Sequence, residues 1–332
     1  MDQNKISRSA RTKGLILVLL SSFVYGINPV ASQLGYASGL NSYSLVFGRY
    51  TVGIIIYFFM VIFKKDSFKI TFKQFIYICL VTAFGYTCIL LTFVSYQHLS
   101  AGMASLVGMT YIVFAVLFEI ILRIAKGIWY KWVTLALSFG GVMLIFLTPG
   151  DSAGITTKGL VIGLIAAVLA AIQMILFNHK ELKSLSIPQI FFYEMILPVL
   201  LTPIVAKFMG YYPFPVGLEQ WGYAALVSVL NLGLGLMLFY SAIRLIGVGD
   251  ASLVGVLEPV FAFIAGAIIF HDPVTSKMLI GGGIILGAIF FMTYMQNLDE
   301  KKAAAAMAEE LEVFKAEAQA EVDRIVAEQE AK

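Results

Sequence analysis

The chain has 332 residues, 60% hydrophobic and 13% charged, with a mean hydropathy of +0.88. A soluble domain is about half apolar and a quarter charged, so composition excludes one, and the alternating strands of an outer-membrane barrel are absent. The net charge of +3 is uneven: the last 34 residues hold ten acids and five bases, the preceding 298 ten acids and eighteen bases.

Residues 1–12 are polar and basic and precede an apolar run too long for a signal-peptide core. Runs of about 20 apolar residues, the length that crosses a bilayer, then recur throughout. Ten spans are expected, at 13–34, 42–63, 72–96, 101–123, 129–148, 158–179, 188–210, 220–243, 248–270 and 274–296. With the N-terminus inside, sixteen loop lysines and arginines fall on the inner side and three on the outer. That bias predicts a multi-pass protein with both termini cytoplasmic. Residues 298–332 read as a separate cytosolic tail helix, with Leu311, Phe314, Ala318, Val322 and Ile325 forming an apolar stripe. Its acidity argues against nucleic acid and anionic lipid as partners. Self-association, as a homodimer, or a protein partner through the tail is compatible with it.

The chain also repeats. Lys13–Gly14–Leu15 returns as Lys158–Gly159–Leu160, and Ala104–Gly108 returns as Ala251–Gly255 at an offset of 147. Ala136 and Gly140 fall on Gly283 and Gly287 at the same offset. Each half holds five expected spans, an odd number, so the second half must be inserted upside down. The expected architecture is all-α: ten transmembrane helices as two inverted repeats, 13–148 and 158–297, joined by an outer loop at 149–157. In such folds the substrate sits near the midplane between the halves. The small-xxx-small residues read as helix-packing positions, within the bundle or between subunits.

Polar residues at membrane depth are candidates for function. Glu258 is followed by Pro259, which removes a backbone donor and frees a carbonyl one turn back. Tyr111 stands at the equivalent place in the first half. Asn28, in Asn28–Pro29, is matched by Gln173, and Tyr25 shares the helix face of Asn28. Arg49, suited to a carboxylate or phosphate, is matched by Glu194, which the expected span places near the inner surface. Asn231 lies at mid-span beside Gly233 and Gly235. Glu119 and Arg123 form an expected local ion pair, and Asp272 is assigned to a loop. The candidate substrate-binding set is therefore Glu258, Tyr111, Asn28, Gln173, Asn231, Tyr25 and Arg49. The two cysteines and three histidines form no ligand set, no cofactor is expected, and no nucleophile–base pair at depth supports an enzyme.

Tyr25–Gly26, the Ala–Ser–Leu–Val segments, Glu258–Pro259–Val260 with Gly266, and Gly140–Gly141 with Gly287 resemble the EamA-type branch of the drug/metabolite transporter superfamily. The resemblance covers residues 13–297. It departs at Tyr25, where the family usually has tryptophan, and in the first half, which lacks a counterpart of Pro259. It implies a ten-helix plasma-membrane carrier with a central cavity, moving small polar metabolites by alternating access. Export of amino acids or related compounds leads, and proton-coupled uptake of an organic cation such as choline is the alternative. A membrane sensor or scaffold acting through the tail is the rival of another class: transport unaffected by deleting residues 299–332 would exclude it as the main function.

Overall fold

A computed structural model describes residues 8–122, 129–146, 156–177, 179–272 and 274–330. Its helices are α1 (Arg8–Ala37), α2 (Ser42–Phe63), α3 (Phe72–Tyr96), α4 (Ala101–Met109), α5 (Tyr111–Ile121), α6 (Trp129–Phe146), α7 (Thr157–Phe177), α8 (Ile187–Phe208), α9 (Gly217–Ser228), α10 (Leu236–Gly255), α11 (Glu258–Ile269) and α12 (Ser276–Glu330). A π-helical stretch, Val229–Gly235, joins α9 to α10. Among the described residues, eight helical segments are long and apolar enough to cross a membrane, α4 and α5 together counting as one. Three start on reciprocal side-chain caps: Asn41 with Ser44, Thr71 with Gln74, and Ser186 with Gln189. These satisfy amides that a helix cannot pair internally.

The surface is apolar and the interior holds the polar groups. Phe63, Phe208 and Ile268 are exposed, whereas Ser21, Asn28, Ser32, Arg49, Thr82 and Glu194 are buried. This is the distribution a bilayer requires. Packing pairs come in two copies. α1 lies against α10 and α11, and α7 lies against α3 and α5; α2 packs on α8, α4 on α11 and α6 on α12. Exchanging the two repeats maps these pairs onto one another except α4 with α11, whose counterpart, α5 with the end of α10, is not a packed pair.

The strongest internal likeness lies where the sequence copies look most different. The fourth span is broken at Thr110 and its ninth-span counterpart at Val256–Leu257, the same register of the repeat. The hydrogen bonds match: Thr110 donates to the Val107 carbonyl and Val113 to the Thr110 carbonyl, as Leu257 donates to Val254 and Val260 to Leu257. The causes differ. In the second half Pro259 sits in the first turn of α11, where its missing N–H costs nothing to α11 but cannot reach the preceding turn. In the first half the Thr110 hydroxyl donates to the Val107 carbonyl at 2.6 Å, competing with the backbone for that acceptor. Beyond the breaks, α4 and α11 close together: a methyl group on Gly102 would come 2.1 Å from the Phe263 ring, and one on Gly266 3.2 Å from the Ala101 side chain.

Two expectations change, and one alternative left open is decided. Residues 248–270 do not form a separate span, because α10 runs through the expected loop to Gly255 and the remainder is α11. The sequence from Arg244 to Gly255 contains no proline, so nothing removes a backbone donor there. The tail does not start a helix of its own either, since α12 continues unbroken for 55 residues, about 80 Å. The Ala-, Glu- and Lys-rich sequence after Leu298 offers neither glycine nor proline to stop it. Leu311 is exposed; the side chains of Phe314, Ala318, Val322 and Ile325, and the Glu119–Arg123 pair, lie outside the described residues. Finally, the small-residue stripe faces outward. A Cβ on Gly140, Gly283 or Gly287 would meet nothing within 4 Å.

The close α6–α12 contact is made one residue over, at Gly141. A methyl there would come 2.8 Å from the Gly281 carbonyl and 2.7 Å from Ile285. Gly141→Ala is expected to destabilise the protein by about 1–3 kcal/mol through overpacking, while Gly140→Ala stays within about 0.5 kcal/mol. Thermal unfolding of the two variants in detergent checks this, and equal shifts would contradict the α6–α12 packing.

Candidate functional site

A cavity of about 550 Å³ lies between the repeats, bordered by Tyr25 of α1, Tyr111 of α5, Asn231 of the π-helical stretch, Tyr240 of α10 and Glu258 of α11. Ser21 and Gln296 also border it, toward the N-terminal end of α1 and the end of the apolar part of α12. It therefore extends toward the face of the bundle that carries the N-terminus. On the opposite side the closed α4–α11 contact shuts it.

Glu258 reaches this cavity because the helix break releases it. It is the first residue of α11, directly after the break. Its Oε1 accepts a hydrogen bond from Ser105 Oγ at 3.2 Å. Ser105 belongs to the shared Ala–Ser–Leu–Val–Gly segment, so the repeat itself held the signal for this partner. Gly26 makes room for the break. A Cβ there would fall 2.7 Å from the Glu258 carbonyl oxygen and 2.8 Å from Phe261 Cβ, so α1 approaches the backbone of α11 only because position 26 has no side chain.

The π-helical stretch positions Asn231. Such a turn leaves carbonyls out of the normal ladder, and side chains from other helices take them. Ser21 donates to the Gly235 carbonyl at 2.8 Å and Tyr57 to the Leu232 carbonyl at 3.1 Å. Gly235 is required here, since a Cβ would meet the Tyr25 ring at 2.8 Å. No proline or hydrophobic period in the sequence marks a π turn; only Gly233 and Gly235 hint at it.

Four of the seven candidate residues thus border one cavity: Glu258, Tyr111, Tyr25 and Asn231. Asn28, Gln173 and Arg49 are not among its lining residues. Asn28 lies one turn beyond Tyr25, past the cavity's closed end, and is buried with Oδ1 unpartnered. Gln173 is drawn to the second repeat, where its amide donates to Glu194 Oε1 at 2.7 Å. It packs so closely on Gly85 that a Cβ there would come 2.2 Å from its Nε2. Arg49 stands behind the cavity wall, its Nη2 donating to Asn231 Oδ1 at 2.8 Å. Glu194, expected near the inner surface, is buried within the bundle at 6% exposure.

A second, more open hollow of about 780 Å³ lies at the other face, bordered by Gln33, His98 and Asp272. Two hydrogen bonds cross it: Gln33 Nε2 to the Leu99 carbonyl at 2.9 Å, and the Ala101 amide to Asp272 Oδ2 at 3.2 Å. Asp272 thereby supplies an acceptor at the start of α4, where the N-cap Ser100 makes no side-chain bond. Burial holds the Asp272 carboxyl above the usual carboxylate range, with the Ala101 amide pulling the other way. Burial and then Lys158 hold the His98 imidazole below its ordinary value.

Comparison with known proteins agrees with this geometry. A solved crystal structure covers 87% of this chain and 98% of its own at a TM-score of 0.59 and 15% identity, a likeness of fold. Solute carrier family 35 member G1 of Mus musculus is 25% identical over 283 residues, covering 82% of this chain and 75% of that protein. The Homo sapiens protein of the same name is 24% identical over 290 residues, covering 83% and 77%. The family model described as the EamA-like transporter family matches twice, at residues 12–147 and 157–294. The chain belongs to the EamA-like transporter family and is a multi-pass membrane transporter of small solutes.

Proposed function

We propose that this protein carries a small metabolite bearing an amino or ammonium group across the plasma membrane by alternating access. The observation that carries this reading is that, among the described residues, Glu258 is the sole Asp, Glu, Lys or Arg bordering the central cavity. A lone carboxylate at depth needs a counter-charge, and a cationic substrate group supplies one. Tyr25, Tyr111 and Tyr240 border the same space, and aromatic rings attract ammonium groups. Asn231 offers an amide to a polar or anionic end, so amino acids and related compounds fit as well as simple organic cations.

The loop charges favour cytoplasmic termini, which puts the cavity in contact with the cytoplasm. That is the state from which an exporter loads, in keeping with the export that the family resemblance implies. In this reading the Gln33–Leu99 and Ala101–Asp272 bonds and the α4–α11 contact form the outer gate. Transport requires them to part while α5 and the end of α10 close.

Counterflow in proteoliposomes tests the substrate class, using labelled amino acids and choline with and without a pH gradient. Glu258→Gln is expected to lose about 2–5 kcal/mol of substrate binding, and full exchange of the same substrate by that variant would refute the reading. Gly102→Leu tests the gate. Wedging α4 from α11 costs the closed state about 1–3 kcal/mol, so Asn231→Cys should react about tenfold faster with an impermeant thiol reagent from outside. An unchanged rate counts against this gate.

A further inference from the structure

Arg49 and Glu194 are both buried, at 4% and 6% exposure, and both are incompletely partnered. Arg49 commits Nη2 to Asn231 and lies over the rings of Tyr50 and Phe93, 5.6 Å from each centroid, while Nε and Nη1 have no partner. Glu194 accepts from Gln173 on Oε1, while Oε2 has no partner. The two charges are within electrostatic reach, yet no hydrogen bond joins them.

A carboxylate at membrane depth must be paired or neutral. Glu194 has one route to each. It can hold a proton on Oε2, or it can take one of the two-nitrogen edges of the guanidinium, both of which include Nη2. The guanidinium is rigid and planar, so a bidentate pairing with Glu194 redirects Nη2 from Asn231. The observed arrangement, with Asn231 bound and Oε2 unpaired, matches the first.

We infer that Glu194 is a proton-binding site separate from the substrate cavity, and that Arg49 transmits its protonation state to the cavity through Asn231. The proton comes from water and returns to water. The other ionisable groups facing the pair are Tyr50 and Tyr57 of α2 and Tyr86, Cys88 and Tyr96 of α3, with Tyr240 behind Tyr57. All are phenols or a thiol, whose ordinary values lie above neutrality, and α7 contributes the non-titrating Gln173. Glu258 is also in electrostatic reach of Tyr96, so two carboxylates bear on the cluster and the Glu258→Gln variant separates them. This inference does not depend on the substrate class of the cavity.

The test uses the full chain in lipid nanodiscs with Gln296→Cys at the cavity rim. Its rate of modification by an impermeant thiol reagent is followed from pH 5 to 9 and divided at each pH by that of an exposed tail cysteine, Ala303→Cys, so that the thiol's own titration cancels, with the chain lacking any added cysteine as blank. The rate is expected to change at least about fivefold through a single titration, in the range of ordinary coupling between sites. Glu194→Gln should flatten the profile at the low-pH rate, because a neutral amide leaves Arg49 on Asn231. Glu194→Asp should restore the titration, and Glu258→Gln should leave it in place. The inference is overturned if Glu194→Gln keeps the original profile or if Glu258→Gln abolishes it. Should Glu194→Gln not fold, Gln173→Ala decides: removing the donor to Oε1 must move the titration midpoint, and an unmoved midpoint overturns the proposal.

Discussion

The contact of α4 with α11 governs the rest of the structure. On one side of the membrane the two helices touch through Gly102 and Gly266, where any larger residue would collide with a ring, a side chain or a carboxylate. Two residues after Gly108 and directly after Gly255 the chain breaks, and across the breaks α5 and the end of α10 border an open cavity. Closure on one side and opening on the other are therefore the same geometric fact. A helix pair held tightly at one end and interrupted near the middle can exchange its open and closed ends with little change inside each helix. Discrete packing alternatives of this kind are what alternating access needs.

The repeat supplies the frame and its chemical inequality supplies the site. The same backbone turn is built twice, once by a proline and once by a threonine hydroxyl. It delivers Tyr111 on one side and Glu258 on the other. Identical frames with unlike residues give one charged group in a shared cavity, where strict symmetry would give two carboxylates repelling each other or none. The same inequality recurs at Arg49 and Glu194, which bring opposite charges to equivalent places.

Every polar group inside this bundle has a cost in hydrocarbon, and glycines set where that cost is met. Gly85 admits the Gln173 amide that holds Glu194; Gly26 admits the broken start of α11; Gly235 admits the Tyr25 ring beside the π turn. Each acts through the absence of a side chain at a contact between different helices. Such roles are not visible in composition or helix propensity, which count glycine simply as a weak helix former.

Hydrophobic run length and the lysine and arginine distribution were enough to read a polytopic α-helical protein, and the repeated pentapeptide was enough to read two copies of one unit. Local chemistry also located Glu258, Tyr111, Tyr25 and Asn231, because an acid, an amide or a tyrosine in an apolar run is conspicuous without any partner. What it could not give was which polar groups share a space. Asn28, Gln173 and Arg49 are as conspicuous in sequence as Glu258, yet helix crossings send one past the closed end of the cavity, one to Glu194 and one behind Asn231. Ser105, Gly26 and Gly235 lie in segments the sequence singles out, but small residues in an apolar helix do not say which partner they admit. The continuation of α10 and the outward direction of the Gly140 stripe were likewise decided by tertiary packing. Periodicity tells which residues share a helix face, but only the neighbouring helices determine what that face meets.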